Sequence, residues 1–235
     1  MSCKNILLKE REERVLEYTD FSDLNIELSE GSKLFLKLAN FAADSDITIN
    51  GKIGKFAEIS VVFADFSKNS TKVTSQINLV EEGAKCEWHL ATLSNKKDNK
   101  IFDISFKHVV GKTTSIMDNY GVARDDSKIV FSGVSHITEG AKGSNAKQNA
   151  KIIVFDKNAQ GTASPILKID ENEVQASHGA VVGQLNSDHM FYLMSRGLTY
   201  DDARMIITLG YLKPVSDKFS EATQSKIENA IKEAM

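Results

Sequence analysis

The sequence predicts a mainly β protein with a small helical segment at its C-terminal end. Three observations carry this. Short β-branched or aromatic runs recur from residue 19 to about residue 183. Gly, Asn, Asp and Ser clusters punctuate them, as between strands. No ten-residue helical period lies between them, which argues against βαβ units and a doubly wound sheet; helical spacing is confined to the last fifth of the chain.

Taken in order, residues 1–18 are ambiguous. Lys9-Glu10-Arg11-Glu12-Glu13-Arg14 reads equally as a solvated helix or an exposed edge strand. From residue 19 to 183 the strand signals are Leu34–Leu38, Ile47–Ile49, Ile59–Phe63, Lys72–Ile77, Ile101–Val110, Ile129–Phe131, Ser135–Ile137 and Ile152–Phe155. One turn is written three times: Glu30-Gly31-Ser32-Lys33, Glu82-Gly83-Ala84-Lys85 and Glu139-Gly140-Ala141-Lys142. Gly supplies the positive φ of a tight corner. The glycines stand 52 and 57 residues apart. Unequal multiples of one coil suit a stacked β-solenoid; a common turn recurring in a β-sandwich fits equally well.

The third region, residues 184–235, changes period. Asn186-Ser187-Asp188 offers N-caps, Met190, Phe191, Leu193 and Met194 share a helical face, and Gly197 suits a C-terminal stop. Thr199-Tyr200-Asp201-Asp202 resembles a capping box and opens a second helix through Leu209, closed by Pro214. Ser216 or Ser220 starts a third, with Phe219, Ile227, Ile231 and Met235 as its apolar stripe. These helices are expected to form a small cap or docking module; if a cap, they pack on the end of the β body, whose strand edges need a cap or a dimer partner.

Composition narrows the function classes. A net charge of -3 lacks the basic excess of a nucleic-acid binder. Two cysteines, Cys3 and Cys86, cannot build a disulfide framework or a four-cysteine metal site. Met1 to Arg14 carries no signal-peptide pattern, and no apolar run approaches a membrane span, so a soluble, cytoplasmic protein is expected. The chain has no P-loop, dinucleotide fingerprint, H-E-x-x-H or nucleophile elbow. None of its five histidines pairs with another at short spacing, which gives weak support for a metal site within one chain. Cys86, beside Lys85, is either a reactive thiol or buried packing.

The stretch between Pro165 and Pro214 is specific. Ser177-His178-Gly179-Ala180-Val181-Val182-Gly183-Gln184-Leu185 is followed by Phe191-Tyr192-Leu193-Met194-Ser195-Arg196-Gly197 and Asp202-Ala203-Arg204. This ordered string resembles the SufB/SufD family, the scaffolds of the SUF iron–sulfur cluster assembly system, over about residues 75–214. Ser177-His178-Gly179-Ala180 looks like the SufD form, in a compact member. The chain departs from the family at two sulfur positions: Ala159 and Gln160 stand near one, and Ala176 at the other.

The resemblance implies a right-handed parallel β-helix with a terminal helical domain, and no enzymatic activity of its own. It implies a SufC-type ABC ATPase as partner, received by the helices with Phe191, Met194, Arg196, Met205 and Ile206 as the contact residues. It also implies a SufB-type scaffold, or a second copy of this chain, as the other partner. His178 would then contribute to a transient iron–sulfur cluster at the subunit interface; reduced flavin is associated with the family, and no residue here places it. Imidazole ligates iron in Rieske centres, and one histidine alone cannot hold a cluster, so the remaining ligands would come from the partner. Two other readings stay open: a subunit that only stabilises its partner, and a β-helix or cupin-like enzyme using His178 and a carboxylate.

Overall fold

A computed structural model describes residues 3–235; Met1 and Ser2, the start of the N-terminal segment, lie outside the described residues. Fourteen strands form two parallel sheets. One contains β1 (Lys4–Leu8), β3 (Leu24–Leu28), β5 (Ser45–Ile53), β7 (Ser70–Leu79), β9 (Asn99–His108), β11 (Lys128–Ile137) and β13 (Gln160–Ile169), in that spatial order. The other contains β2 (Glu13–Tyr18), β4 (Lys33–Asn40), β6 (Glu58–Asp65), β8 (Lys85–Ser94), β10 (Thr114–Ala123), β12 (Asn145–Val154) and β14 (Gln175–Gln184). Odd and even strands alternate between the sheets, so the chain winds as a flattened β-solenoid. The ambiguous N-terminal segment supplies its first two strands.

Strands such as β7, β9 and β11 alternate mostly apolar inward residues with mostly polar outward ones. The inward side chains fill the space between the sheets, with an aromatic file through the middle: Phe63 stacks on Trp88 at 5.9 Å, and Phe102 meets Phe131 at 5.7 Å. Outward charges alternate from coil to coil. Glu13 pairs with Lys33 at 3.2 Å and Glu58 with Lys85 at 3.1 Å, along one register column. Opposite charges on neighbouring strands favour this register over its slips.

The corner before each even strand from β2 to β12 contains a left-handed residue: Arg11, Gly31, Phe56, Gly83, Lys112 and Gly143 all have positive φ, each two residues before its strand. Gly31 and Gly83 are therefore equivalent, two coils apart. Gly140 is not. It has φ 83° in the longer corner before β12, and Gly143 holds the column position. The third copy of the turn is displaced because the coil grew by insertion there, from 20 residues between Glu13 and Lys33 to 31 between Thr114 and Asn145.

The interior also holds polar groups. Lys100 and Asp65 are fully buried and pair at 2.7 Å. His108, buried on β9, contacts Thr113 Oγ1 at 2.7 Å through Nδ1 and Ser115 Oγ at 2.8 Å through Nε2. Burial pushes its imidazole down to about 4. Between the ordinary value near 6.5 and about 4, the unfolded chain binds a proton that the native chain refuses, so stability falls as pH falls through that window. The loss approaches about 3 kcal/mol at pH 4. Chemical denaturation across this range should show that slope, and His108→Gln, which keeps both hydrogen-bonding ends, should remove it.

Three helices follow: α1 (Ser187–Ser195), α2 (Tyr200–Ser216) and α3 (Glu221–Ala234). Asn186 and Thr199 cap the first two as their side chains predict. Two expectations need correction. Pro214 does not close α2 but lies inside its last turn; proline removes one backbone N–H yet keeps a helical φ. The helices do not cap an end of the solenoid. Leu212, Val215, Phe219, Ile227 and Ile231 instead pack on the outer flank of the second sheet, against Ala39, Val62, Ala64, Ala91 and Val122. Small side chains there let the helices approach the sheet closely.

Both ends of α3 are fastened to the solenoid. Glu17 on β2 accepts bonds from Ser220 N at 3.0 Å and Thr223 Oγ1 at 2.6 Å. Burial raises this carboxyl, and the Ser220 and Thr223 bonds more than offset it, leaving it below the usual carboxylate range. At the other end Arg124 donates to the Ala234 carbonyl. A carboxylate at the N-terminus and a guanidinium at the C-terminus both suit the helix dipole.

Candidate functional site

The two ends of the solenoid differ. At the N-terminal end Ile6 and Leu8 are buried, Lys4 Nζ lies 3.6 Å over the Tyr18 ring, and charged side chains line the edge from Lys9 to Arg14. Charge of this kind discourages edge pairing. At the C-terminal end β13 and β14 are the last strands of their sheets, and no helix among the described residues packs its core on them. Ile166, Ile169, Val181 and Val182 are exposed there. Unpaired backbone edges beside exposed apolar side chains form a surface that a second protein can continue.

His178 lies near the middle of this edge. Its register partner on β12 is Gln148, and the same inward column runs down through Met117, Trp88, Val61, Leu36 and Leu16. The alternation therefore turns His178 toward the solenoid interior, and it is exposed because no further coil lies on it. Among the described residues, no group of three His, Cys, Asp or Glu side chains could hold a metal. A cluster held by His178 thus needs ligands from beyond the described residues.

The other sulfur and imidazole groups are placed elsewhere. Cys86 points inward on β8 and is buried; desolvation, with a smaller push from Glu87, raises its thiol far above the ordinary range. This overturns the reactive-thiol reading, because the neighbouring Lys85 points outward to Glu58. His136 bonds Asp170 at 2.7 Å on the outer face of the first sheet. His89 lies between Glu87 and Asp118, 3.5 Å from each, on the outer face of the second.

The helix residues separate into two groups. Phe191 (76% exposed), Met194 and Ile206 face solvent, joined by Tyr192 and Tyr200. Arg196 is exposed beside them, its guanidinium 5.0 Å from the Tyr192 ring centre. Met205 instead packs partly buried against the flank core, and Met190 is the one buried residue of α1.

Sequence reasoning gave no role to Arg204. It is buried on α2, donates to Asp156 Oδ2 at 2.7 Å and stacks 4.8 Å from the Phe155 ring. Asp156 also accepts from Asp125 N at 2.8 Å. Arg204 therefore ties the helices to the corner directly after β12, the strand paired with β14. A buried arginine is legible only as a lone cation in an apolar helical stripe, and Ala203-Arg204-Met205 contains that signal.

Fold and site together define a two-sheet parallel β-solenoid with flanking helices: one charged end, one open end with an inward histidine, and an exposed aromatic helical face. Residues 25–211 match the family described as SUF system FeS cluster assembly, SufBD core domain, and the chain belongs to that family. The match starts well upstream of the stretch whose motifs were readable. The chain is 28% identical over 188 residues to the iron–sulfur cluster assembly protein SufD of Bacillus subtilis, covering 80% of this chain and 41% of that protein. It is 30% identical over 180 residues to an iron–sulfur cluster assembly SufBD family protein of Synechocystis, covering 74% and 38%. The chain thus spans about two fifths of the length of these relatives. No helix among the described residues is long and apolar enough to cross a membrane.

Proposed function

We propose that this chain is a non-catalytic scaffold subunit in iron–sulfur cluster assembly. The observation that supports it most is His178, inward-facing and uncovered on the free edge strand β14 of a family member. The open end receives a second solenoid subunit, either a SufB-type scaffold or another copy of this chain. His178 and the partner's ligands share a transient cluster there as cargo. Phe191, Met194, Arg196 and Ile206, with Met205 supporting them from beneath, receive a SufC-type ABC ATPase. Met and aromatic side chains suit a partner that moves during its cycle. The ATPase's movement reaches β14 through Arg204, Asp156 and β12.

A second reading has its own observation. Ala176 and Ala159 stand where relatives of this kind are expected to have sulfur, which favours a subunit that stabilises its partner without ligating the cluster. One experiment tests the docking face under both. Phe191→Asp combined with Ile206→Asp changes two exposed positions and should leave the fold intact. It should abolish co-purification with the ATPase; retention of the ATPase by this variant would contradict the assignment of that face.

A further inference from the structure

We propose that Gln148 is a positioning residue for His178: a turn of the exposed imidazole brings its N–H to the unpartnered carboxamide oxygen, which accepts it and fixes which ring nitrogen is free to ligate iron. This rests on the reading of His178 as a cluster ligand. Every lower position of the inward column is apolar, from Leu16 to Met117. Polarity enters at the coil directly beneath His178. The Gln148 Nε2 group is held twice, donating to Ser135 Oγ at 2.7 Å and to the Ile166 carbonyl at 3.2 Å. Its Oε1 is buried and has no partner. Burying an unmatched acceptor costs about 1–3 kcal/mol, so stability alone does not account for a glutamine here.

Room has been made for this group. A Cβ at Gly133 would come 3.0 Å from Gln148 Oε1 and 2.9 Å from Met117 Sδ. One strand spacing above, ~4.8 Å away, His178 has no hydrogen bond to its ring among the described residues. A neutral imidazole has one N–H and one lone pair. Two unmatched, complementary groups are therefore register neighbours. Bonding the N–H inward to Oε1 leaves the other nitrogen's lone pair directed away from the solenoid, toward the open end. Ligating histidines generally have such an acceptor behind them, and its loss typically costs 10–100-fold in metal affinity. A carboxamide does this without adding charge to the interior.

The test is the tautomer of His178 in the full-length chain labelled with 15N-histidine, read by long-range 1H–15N correlation at about pH 8, above the ordinary imidazole range. The molecule contains its own references. His136 is bonded through Nε2 to Asp170, and the His189 ring makes no hydrogen bond among the described residues. Wild-type His178 should show one dominant tautomer, like His136. Gln148→Met, of similar volume without an acceptor, should return it to the mixture shown by His189. A wild-type mixture, or a single tautomer unchanged in Gln148→Met, would overturn the proposal. If Gln148→Met does not fold, Gly133→Ala, which crowds the same oxygen, serves in its place. The ligand reading is tested separately, by the cluster content of a His178→Ala complex. A locked tautomer with undiminished cluster content would leave the positioning role standing and remove the ligand role.

Discussion

His178→Ala should abolish cluster build-up in the assembled complex while leaving the complex itself intact. The side chain is on a free edge, makes no hydrogen bond among the described residues, and is exposed in the isolated chain. Truncating it leaves no cavity in the interior and breaks no hydrogen bond that the structure shows, so the fold should change little, within about 0.5 kcal/mol. The iron and sulfide content of the anaerobically purified complex, and its visible absorption, are the readouts. Loss of both with unchanged subunit stoichiometry is the expected result. Full cluster content in the variant would favour the partner-stabilising reading, which the alanines at 159 and 176 already suggest on chemical grounds.

The largest stability effect is expected at Lys100. Its ammonium group is fully buried and reaches Asp65 Oδ2 at 2.7 Å and the Ser67 carbonyl at 2.9 Å. Asp65 also accepts from Asn40 Nδ2 at 2.8 Å and Thr92 Oγ1 at 3.0 Å. Lys100→Ala leaves a buried carboxylate with two neutral donors and no counter-charge. Breaking such a pair from one side costs about 3–5 kcal/mol, whereas replacing both partners with uncharged residues is often neutral. Lys100→Ala should therefore lower the unfolding midpoint by roughly 10 °C or more. Asp65→Asn combined with Lys100→Met should recover more than half of that. If the double variant is as unstable as the single, the uncompensated carboxylate is not what destabilises Lys100→Ala, because Met restores most of the volume and Asn removes the charge.

The fold was partly readable because its main determinants are local. Strand runs, the glycines of the corner column and the helix caps at Asn186 and Thr199 each act within a few residues. What sequence could not give was the pairing between coils. Asp65 and Lys100 are 35 residues apart and Asp156 and Arg204 are 48 apart, and coil length changes from turn to turn, so no fixed period reveals such partners. The same irregularity made Gly140 look equivalent to Gly31 and Gly83. The position of the helices was misjudged for another reason. An end needing cover was inferred from strand edges alone, whereas the small outward side chains Ala39, Ala64 and Ala91, which mark the flank as the docking surface, are inconspicuous one at a time.

The site was legible at one residue and not at its surroundings. His178 stands out through the string around it. Gln148, thirty residues earlier in an unremarkable Lys-Gln-Asn run, gains meaning only when the register places it beneath the histidine. Arg204 likewise becomes interpretable only with Asp156 and Phe155 around it.

The most direct test of the scaffold assignment is the composition of the complex this chain forms. The tagged full-length chain would be isolated anaerobically after co-expression with an ABC-type ATPase and a SufB-type protein of the same source, then weighed intact by native mass spectrometry. The account predicts a stable assembly containing the ATPase and two solenoid subunits, the second being either the SufB-type protein or another copy of this chain. A chain that stays monomeric in the presence of both partners would contradict it.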